Sequence, residues 1–121
     1  MLKLIRSGSM DRKRTLKNEY KQRNATGGIY RVTNRQNGKY LLDSTTNIQA
    51  KQNSFNFMVL SGSCFHHKIQ EDWEAFGSQA FIFEILEVME KKKEQSQNEF
   101  IDDLKMLQQM WSEKLDSSKK Y

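Results

Sequence analysis

The sequence predicts a small domain of the α/β or α+β class, with its elements in the order β-β-α-α-β-α. Two strand-like runs joined by a turn, Ile29–Thr33 and Lys39–Leu42, begin this order. A third run over residues 80–88 is apolar almost throughout, and other stretches carry apolar residues at helical spacing. About one hundred residues follow the N-terminal stretch, which suffices for one small hydrophobic core but not for two domains. We therefore expect a single domain over residues 24–121.

The positive charge is concentrated in residues 1–23, ahead of that domain. This stretch holds eight basic and two acidic residues, or +6, whereas the whole chain is +5, so residues 24–121 are close to −1. Six of the basic residues are candidates for nucleic-acid binding: Arg12, Lys13, Arg14, Lys17, Lys21 and Arg23. A basic arm can bind phosphates with salt-sensitive, sequence-independent affinity. Two alternatives stay open: the arm is a solvated helix over residues 11–22, or residues 1–9 are an artificial extension.

The two strand-like runs form a predicted β-hairpin. Asn37 and Gly38, in the connection between them, tolerate the positive φ angles that a tight return needs. The runs on either side are rich in the β-branched, aromatic and aliphatic residues that pack on a pleated surface. After the hairpin, Thr45 or Thr46 is expected to cap a helix that begins near Asn47.

Two helices are predicted between the hairpin and the third strand. The first covers residues 47–60 and is ended by the stretch Ser61–Ser63, which contains a glycine. The second covers residues 65–76 and has four apolar residues on one stripe: Phe65, Ile69, Trp73 and Phe76. Gly77 is placed to end this second helix.

The third strand and the last helix complete the order. Residues 80–88 are apolar on nearly both faces, which predicts a strand at the centre of the sheet. Between residues 90 and 115, one helical stripe carries Phe100, Leu104, Leu107, Trp111 and Leu115. Ile101, Met106 and Met110 widen this stripe. A long helix packed along the sheet explains the pattern, and homodimer formation through this helix is the alternative.

Composition disfavours several classes of function. No apolar run reaches the roughly 20 residues needed to span a bilayer, and no signal core opens the chain. The single cysteine, Cys64, cannot form an internal disulfide, so we expect a cytoplasmic protein without a membrane partner. Cys64, His66 and His67 lack the paired spacing of a zinc site, and their adjacency fixes no nucleophile geometry.

Three motifs resemble the GIY-YIG nuclease domain of phage homing endonucleases and UvrC-type incision subunits. Gly28–Tyr30 matches its first triplet, Phe81–Leu86 a pattern in its third strand, and Gln97–Asp102 a pattern in its last helix. The resemblance covers roughly residues 27–115. It implies a small three-stranded antiparallel sheet flanked by helices, and the hydrolysis of DNA phosphodiesters by metal-activated water.

The residues that such a site needs are only partly retained. The family uses two tyrosines, an arginine on its first helix and a metal-binding glutamate on its last helix. Tyr30 matches the first tyrosine, while Leu41 stands at the second. Lys51 stands at the arginine, Gln97 at the glutamate, and Phe55 where many relatives have histidine. Lysine lacks the bidentate fork of arginine, and a neutral amide is a poor ligand for a hard dication. Tyr30 and Lys51 are thus the remaining catalytic candidates, with no cofactor expected.

Other residues leave alternatives open at this site. Glu94 lies one helical turn before Gln97 on nearly the same face, so it could hold Mg²⁺ or Mn²⁺ in a rearranged, active site. Asp43, near the end of the hairpin, could bind a metal or repel phosphate. Tyr30 could equally be a packing residue without a chemical role.

Three functions follow, and whether the protein is an enzyme stays open. The first is a stand-alone GIY-YIG-fold protein with a degenerate site that binds nucleic acid, most simply DNA, or regulates. The second is an active, metal-dependent endonuclease that uses Tyr30, Lys51 and Glu94. The third is a protein-interaction module that acts through the C-terminal helix.

Overall fold

The computed structural model describes residues 26–121. The predicted basic arm over residues 1–23, with its helix and its candidate nucleic-acid-binding residues, lies outside the described residues. The described elements are β1 (Thr26–Asn34), β2 (Tyr40–Thr45), α1 (Ile48–Ser61), α2 (Gln70–Phe76), β3 (Phe81–Glu90) and α3 (Gln97–Lys114). Short 3₁₀ turns cover His67–Ile69, Ser78–Ala80 and Ser117–Lys119. The predicted order of strands and helices is confirmed. None of the described helices is long and apolar enough to cross a bilayer.

The sheet has three antiparallel strands in the order β2-β1-β3. β1 is therefore the central strand, and the prediction that β3 lies at the centre is wrong. Ile29, Tyr30 and Val32 on β1 are at most 1% exposed, whereas Ile85 and Val88 on β3 are 43% and 56% exposed. A continuous apolar run indicates which residues could be buried on both faces of a sheet. It does not indicate whether a neighbouring element covers them.

Helices cover the two faces of the sheet. On one face, α1 and α2 pack against Tyr30, Val32 and Leu41 through Phe55 and Trp73. On the other face, the core consists of Ile29, Tyr40, Leu42, Phe100 and Leu104, the last two from α3. Successive residues of a strand point to opposite faces, so the hairpin supplies both cores at once.

The first helix has different capping from that predicted. Asn47, not Thr45 or Thr46, is the N-cap of α1, and its side-chain oxygen accepts a hydrogen bond from the amide of Ala50 at 3.0 Å. Thr45 instead accepts a hydrogen bond from the amide of Asn47. Gly62 ends the helix in the left-handed region, at φ 81°, as the sequence predicts.

The other two helices begin later than predicted. α2 starts at Gln70 rather than Phe65, because the extended His66 binds the amide of Lys68 through its ring and makes a local turn. Gly77 ends α2, as predicted. α3 starts at Gln97 rather than at Glu90, and Ser96 and Glu99 form a capping box at its start. Glu90 is instead the last residue of β3.

Tyr121 forms hydrogen bonds with the hairpin and with α2. The amide of Tyr121 donates to the carbonyl of Tyr40 at 2.9 Å. Its hydroxyl donates to Asp72 at 2.7 Å, and the fully buried Asn34 donates to both Asp72 and the Tyr121 hydroxyl. The last residue thereby joins the β1–β2 turn to α2.

Candidate functional site

Tyr30 lies in the middle of the sheet and is 1% exposed. In the strand register it stands between Asp43 on β2 and Ile85 on β3. Its ring stacks on Phe83, with centroids 4.9 Å apart, and meets Phe65 edge-on at 6.3 Å. Its hydroxyl donates to Asp43 Oδ2 at 3.4 Å. Most of this side chain serves the core, and only the hydroxyl reaches a polar group.

The surroundings of Tyr30 keep its hydroxyl protonated. Burial raises the pKa of Tyr30 well above its usual range, and the negative charge of Asp43 and the hydrogen bond to it raise it further. A hydroxyl of this kind can donate a hydrogen bond at neutral pH. It is a poor proton acceptor, because forming the tyrosinate would place a second negative charge beside Asp43.

Leu41 occupies the place where the resemblance implies a second tyrosine. It is 4% exposed and belongs to the same apolar cluster as Tyr30. Tyr40, its neighbour, faces the opposite side of the sheet, where its hydroxyl donates to the Asp116 carbonyl at 3.1 Å. Tyr40 therefore does not bring a second hydroxyl to Tyr30.

Lys51 and Tyr30 both lie beside the ring of Phe65. The Lys51 Nζ lies 6.0 Å from the centroid of the Phe65 ring, and the Tyr30 ring meets the same ring. Phe55, at the position where many relatives have histidine, is 4% exposed and packs edge-on against Phe65 and Trp73. Phe55 is a core residue here.

Glu94 and Gln97 lie on the exposed surface, away from the cluster around Tyr30. Gln97 is the first residue of α3 and is exposed, and its side chain forms no hydrogen bond to another of residues 26–121. Glu94 lines a shallow, open depression together with Lys92, Lys93, Gln95, Glu99 and Asp103. Neither Tyr30 nor Lys51 lines that depression. Of the three candidates for a rearranged site, the described contacts bring together Tyr30 and Lys51 only.

The donors in the described residues do not fit the divalent metal that the resemblance implies. Residues 26–121 contain no group of three or more His, Cys, Asp or Glu side chains that could hold an ion. The Glu99 carboxylate accepts from the amide of Ser96 in the capping box, and Asp103 accepts from the side chain of Gln95. Asp43 accepts from Tyr30 and from the amide of Ser44.

His66 lies close to Lys51 and Asp43, which the sequence did not indicate. His66 stacks on His67, with ring centroids 4.4 Å apart, and its Nδ1 accepts from the amide of Lys68 at 3.1 Å. Burial and the charge of His67 lower the pKa of His66, and Lys68 and Lys51 act in the same direction, whereas Asp43 opposes them. From the sequence, His66 and His67 were considered as zinc ligands and as partners of Cys64 in a nucleophile pair, and neither was predicted. The run His-His-Lys was visible, but its closeness to Lys51 and Asp43 depends on the tertiary fold.

Comparisons with known proteins agree with this architecture. No family model matches the sequence, and no curated protein matches it. Among solved structures, the chain is similar to a nuclease catalytic domain, and it shares the GIY-YIG fold that the motifs predicted. That structure is a glutamate-to-alanine variant of the catalytic domain of intron endonuclease I-TevI. The TM-score is 0.56 at 20% identity, over 79% of this chain and 91% of that one.

Proposed function

We propose that this chain is a nucleic-acid-binding or regulatory module on a nuclease fold, and that its own phosphodiester-cleaving centre is lost. One observation carries the proposal. Tyr30 and Leu41 are buried in a single apolar cluster, where a nuclease centre of this type would need two accessible hydroxyls. Apolar side chains around Tyr30 and Leu41 disfavour a water that two polar groups could orient.

Two further observations support nucleic acid as the partner. The similar solved structure is the catalytic domain of an endonuclease, and a fold of this kind can retain a polymer-binding surface after its chemistry is lost. The sequence of residues 1–23 has a net charge of +6, which favours salt-sensitive contact with DNA phosphates. DNA is the proposed partner on both grounds.

The proposal includes the absence of a resident cofactor and a cytoplasmic setting. Gln97 replaces the carboxylate that would hold Mg²⁺ or Mn²⁺, and amide oxygen binds such hard ions weakly. Cys64 forms no disulfide in the described part of the chain, which suits a reducing compartment.

The test measures cleavage and binding in parallel. The full chain is incubated with supercoiled plasmid in Mg²⁺ and in Mn²⁺, and its DNA affinity is measured at two salt concentrations. We expect binding that weakens with salt and no nicking. Nicking that persists through purification and disappears in the Tyr30→Phe variant would overturn the proposal. Nicking that survives in that variant would identify a contaminating nuclease.

The meeting of Tyr30 and Lys51 at Phe65 favours the active endonuclease as a second candidate. This candidate requires Glu94 to hold a metal ion. Its test is Mn²⁺ affinity, measured by calorimetry on the parent and on Glu94→Gln, with the exposed Glu113→Gln as the matched control. A metal site at Glu94 predicts a loss of affinity in Glu94→Gln alone. Equal affinities in all three proteins would remove this candidate.

Exposed apolar residues on α3 favour the third candidate, an interaction module that forms homodimers through this helix. Met106 and Met110 lie one helical turn apart and are 68% and 54% exposed. Sedimentation of the parent and of Met106→Glu tests it. A dimer that dissociates in the variant would support this role, whereas a monomeric parent at high concentration would exclude the dimer.

A further inference from the structure

Four basic groups meet at the corner of the domain where Tyr30 reaches Asp43. We call Lys51, His66, His67 and Lys68 the basic corner. Lys51 comes from the first turn of α1, and the other three come from the turn that precedes α2. His67 and Lys68 are exposed, while Lys51 and His66 are half-buried. All four can be reached from solvent.

The geometry of the turn fixes the tautomer of His66. The amide of Lys68 donates to Nδ1 of His66 at 3.1 Å, so the neutral ring carries its proton on Nε2. The ring of His67 stacks on that of His66 at 4.4 Å. The two imidazoles are thereby stacked on each other in the free protein. Less side-chain conformational entropy is then lost when a ligand binds to them.

Lys51 completes the cluster from the neighbouring helix. Its Nζ lies 6.0 Å from the ring centroid of Phe65, the residue directly before His66. Within residues 26–121, none of the four basic groups forms an ion pair with a carboxylate. Asp43 is the nearest acidic influence on His66, and its oxygens already accept from Tyr30 and Ser44.

Lys51 and Lys68 carry like charges, and a polyanion relieves their mutual repulsion. We propose that the basic corner binds the phosphate backbone of a nucleic acid, as a second contact separate from the N-terminal arm. The inference rests on the proposed nucleic-acid-binding function and adds a location and a pH response to it. Lysine donates from a point charge, and imidazolium can donate from Nε2.

The pH response follows from the groups around His66. Asp43 faces it from β2, Lys51 from α1, and His67 and Lys68 from its own turn. Burial and the charge of His67 lower the pKa of His66, so the free protein keeps this ring largely neutral near pH 7. A bound phosphate adds negative charge and favours the imidazolium, at the cost of the hydrogen bond from the Lys68 amide, because Nδ1 then carries a proton. Binding therefore takes up protons, and affinity rises as the pH falls.

The experiment is fluorescence anisotropy of a short labelled DNA duplex with the full chain, at about pH 5.5 and about pH 7.5. We expect the parent to bind roughly three- to tenfold more tightly at the lower pH. The double variant His66→Asn with His67→Gln should lose most of this response, since Asn keeps the acceptor for the Lys68 amide. Lys68→Gln should weaken binding at both pH values and lower the salt slope by about one.

Controls separate this inference from the proposed function. Lys105→Gln removes an exposed charge from α3 on the opposite face and should keep the pH response of the parent. If the parent binds DNA but the double variant keeps both its affinity and its pH response, the inference fails and the proposed function stands. If the parent binds no DNA at either pH, both fail. Should the double variant unfold, Lys68→Gln alone decides, because the Lys68 side chain is exposed: an unchanged affinity and salt slope in this variant would overturn the inference.

Discussion

At the residue scale, the decisive feature is the apolar closure around Tyr30. Its hydroxyl has Asp43 as a partner, but Leu41 fills the place of a second hydroxyl, and both Tyr30 and Leu41 are almost fully buried. A buried tyrosine of raised pKa contributes packing and a hydrogen-bond donor. The residue that matches the nuclease triplet thus packs in the core and donates one hydrogen bond, to Asp43.

The first prediction returns the missing hydroxyl. Leu41→Tyr adds a ring to a filled cluster, so we expect the free energy of unfolding to fall by about 1–3 kcal/mol. We expect no DNA cleavage, because the metal-binding carboxylate would still be missing. Urea denaturation and plasmid nicking measure the two effects, with Leu41→Met as the control that keeps the side-chain volume. Cleavage by Leu41→Tyr would show that the rest of the centre is intact.

The second prediction concerns Tyr121. Burial, followed by the hydrogen bond to Asp72, raises the pKa of Tyr121 to about 12. A raised folded-state pKa means that this stabilisation is complete below the ordinary tyrosine pKa of about 10. It is lost as the pH rises through about 12. We therefore expect stability to fall between these two pH values and Tyr121→Phe to flatten that fall, measured by urea denaturation.

The same variant should also be weaker at neutral pH. Tyr121→Phe removes a donor from Asp72 and an acceptor from the buried Asn34, so we expect a loss of about 1–3 kcal/mol. Tyr40→Phe loses a hydroxyl that donates to a backbone carbonyl and serves as the matched aromatic control. An unchanged alkaline slope in Tyr121→Phe would contradict the assignment of the titration to this residue.

At the scale of elements, the packing of α3 on the sheet depends on one glycine in β1. A Cβ at Gly27 would lie 2.7 Å from the Phe100 ring and 2.8 Å from the carbonyl oxygen of Thr45. Both distances are shorter than van der Waals contact, and one partner is backbone, which cannot rotate away. The absence of a side chain at Gly27 therefore sets how closely α3 approaches β1.

The third prediction follows from this approach. Gly27→Ala should lower the free energy of unfolding by about 1–3 kcal/mol, because the sheet or α3 must shift to admit a methyl group. Urea denaturation measures it. Thr26→Ala, at the adjacent position of the same strand, should cost less than 1 kcal/mol, roughly the span of strand propensity. Equal stabilities for the parent and Gly27→Ala would contradict this packing.

At the scale of the whole molecule, charge is divided between the arm and the domain. The domain is close to neutral, so the arm and the basic corner are the two sources of phosphate affinity that we propose. Each phosphate contact on duplex DNA contributes about 0.9 to the slope of affinity against salt on a logarithmic scale. The two sources can therefore be counted separately.

The fourth prediction counts the arm. Replacing Arg12, Lys13 and Arg14 together with Gln should lower the salt slope by about two to three, while the pH response of the basic corner remains. Anisotropy titrations at several salt concentrations give the slope. Replacing Lys105 and Lys114 on α3 is the control for a general loss of charge. An unchanged slope in the arm variant would show that these three residues do not contact DNA.

The sequence by itself determined the order of elements, the hairpin, the helix stops and the fold resemblance. These features are local: Gly62 and Gly77 adopt positive φ where only glycine is unstrained, and alternation sends Tyr40 and Leu41 to opposite faces. The departure from the nuclease pattern at Leu41 was likewise visible in a short segment. Such signals depend on residues within a few positions of one another.

Only the tertiary structure decided the strand order, the start of α2 and the grouping of the site residues. β1 became central because it pairs with both β2 and β3, and no periodicity within β3 could report that pairing. The basic corner likewise joins Lys51 of α1 to His66, fifteen positions later, across the ring of Phe65. Contacts of this kind depend on how helices pack on a sheet, because the free energy of packing is shared among residues far apart in sequence.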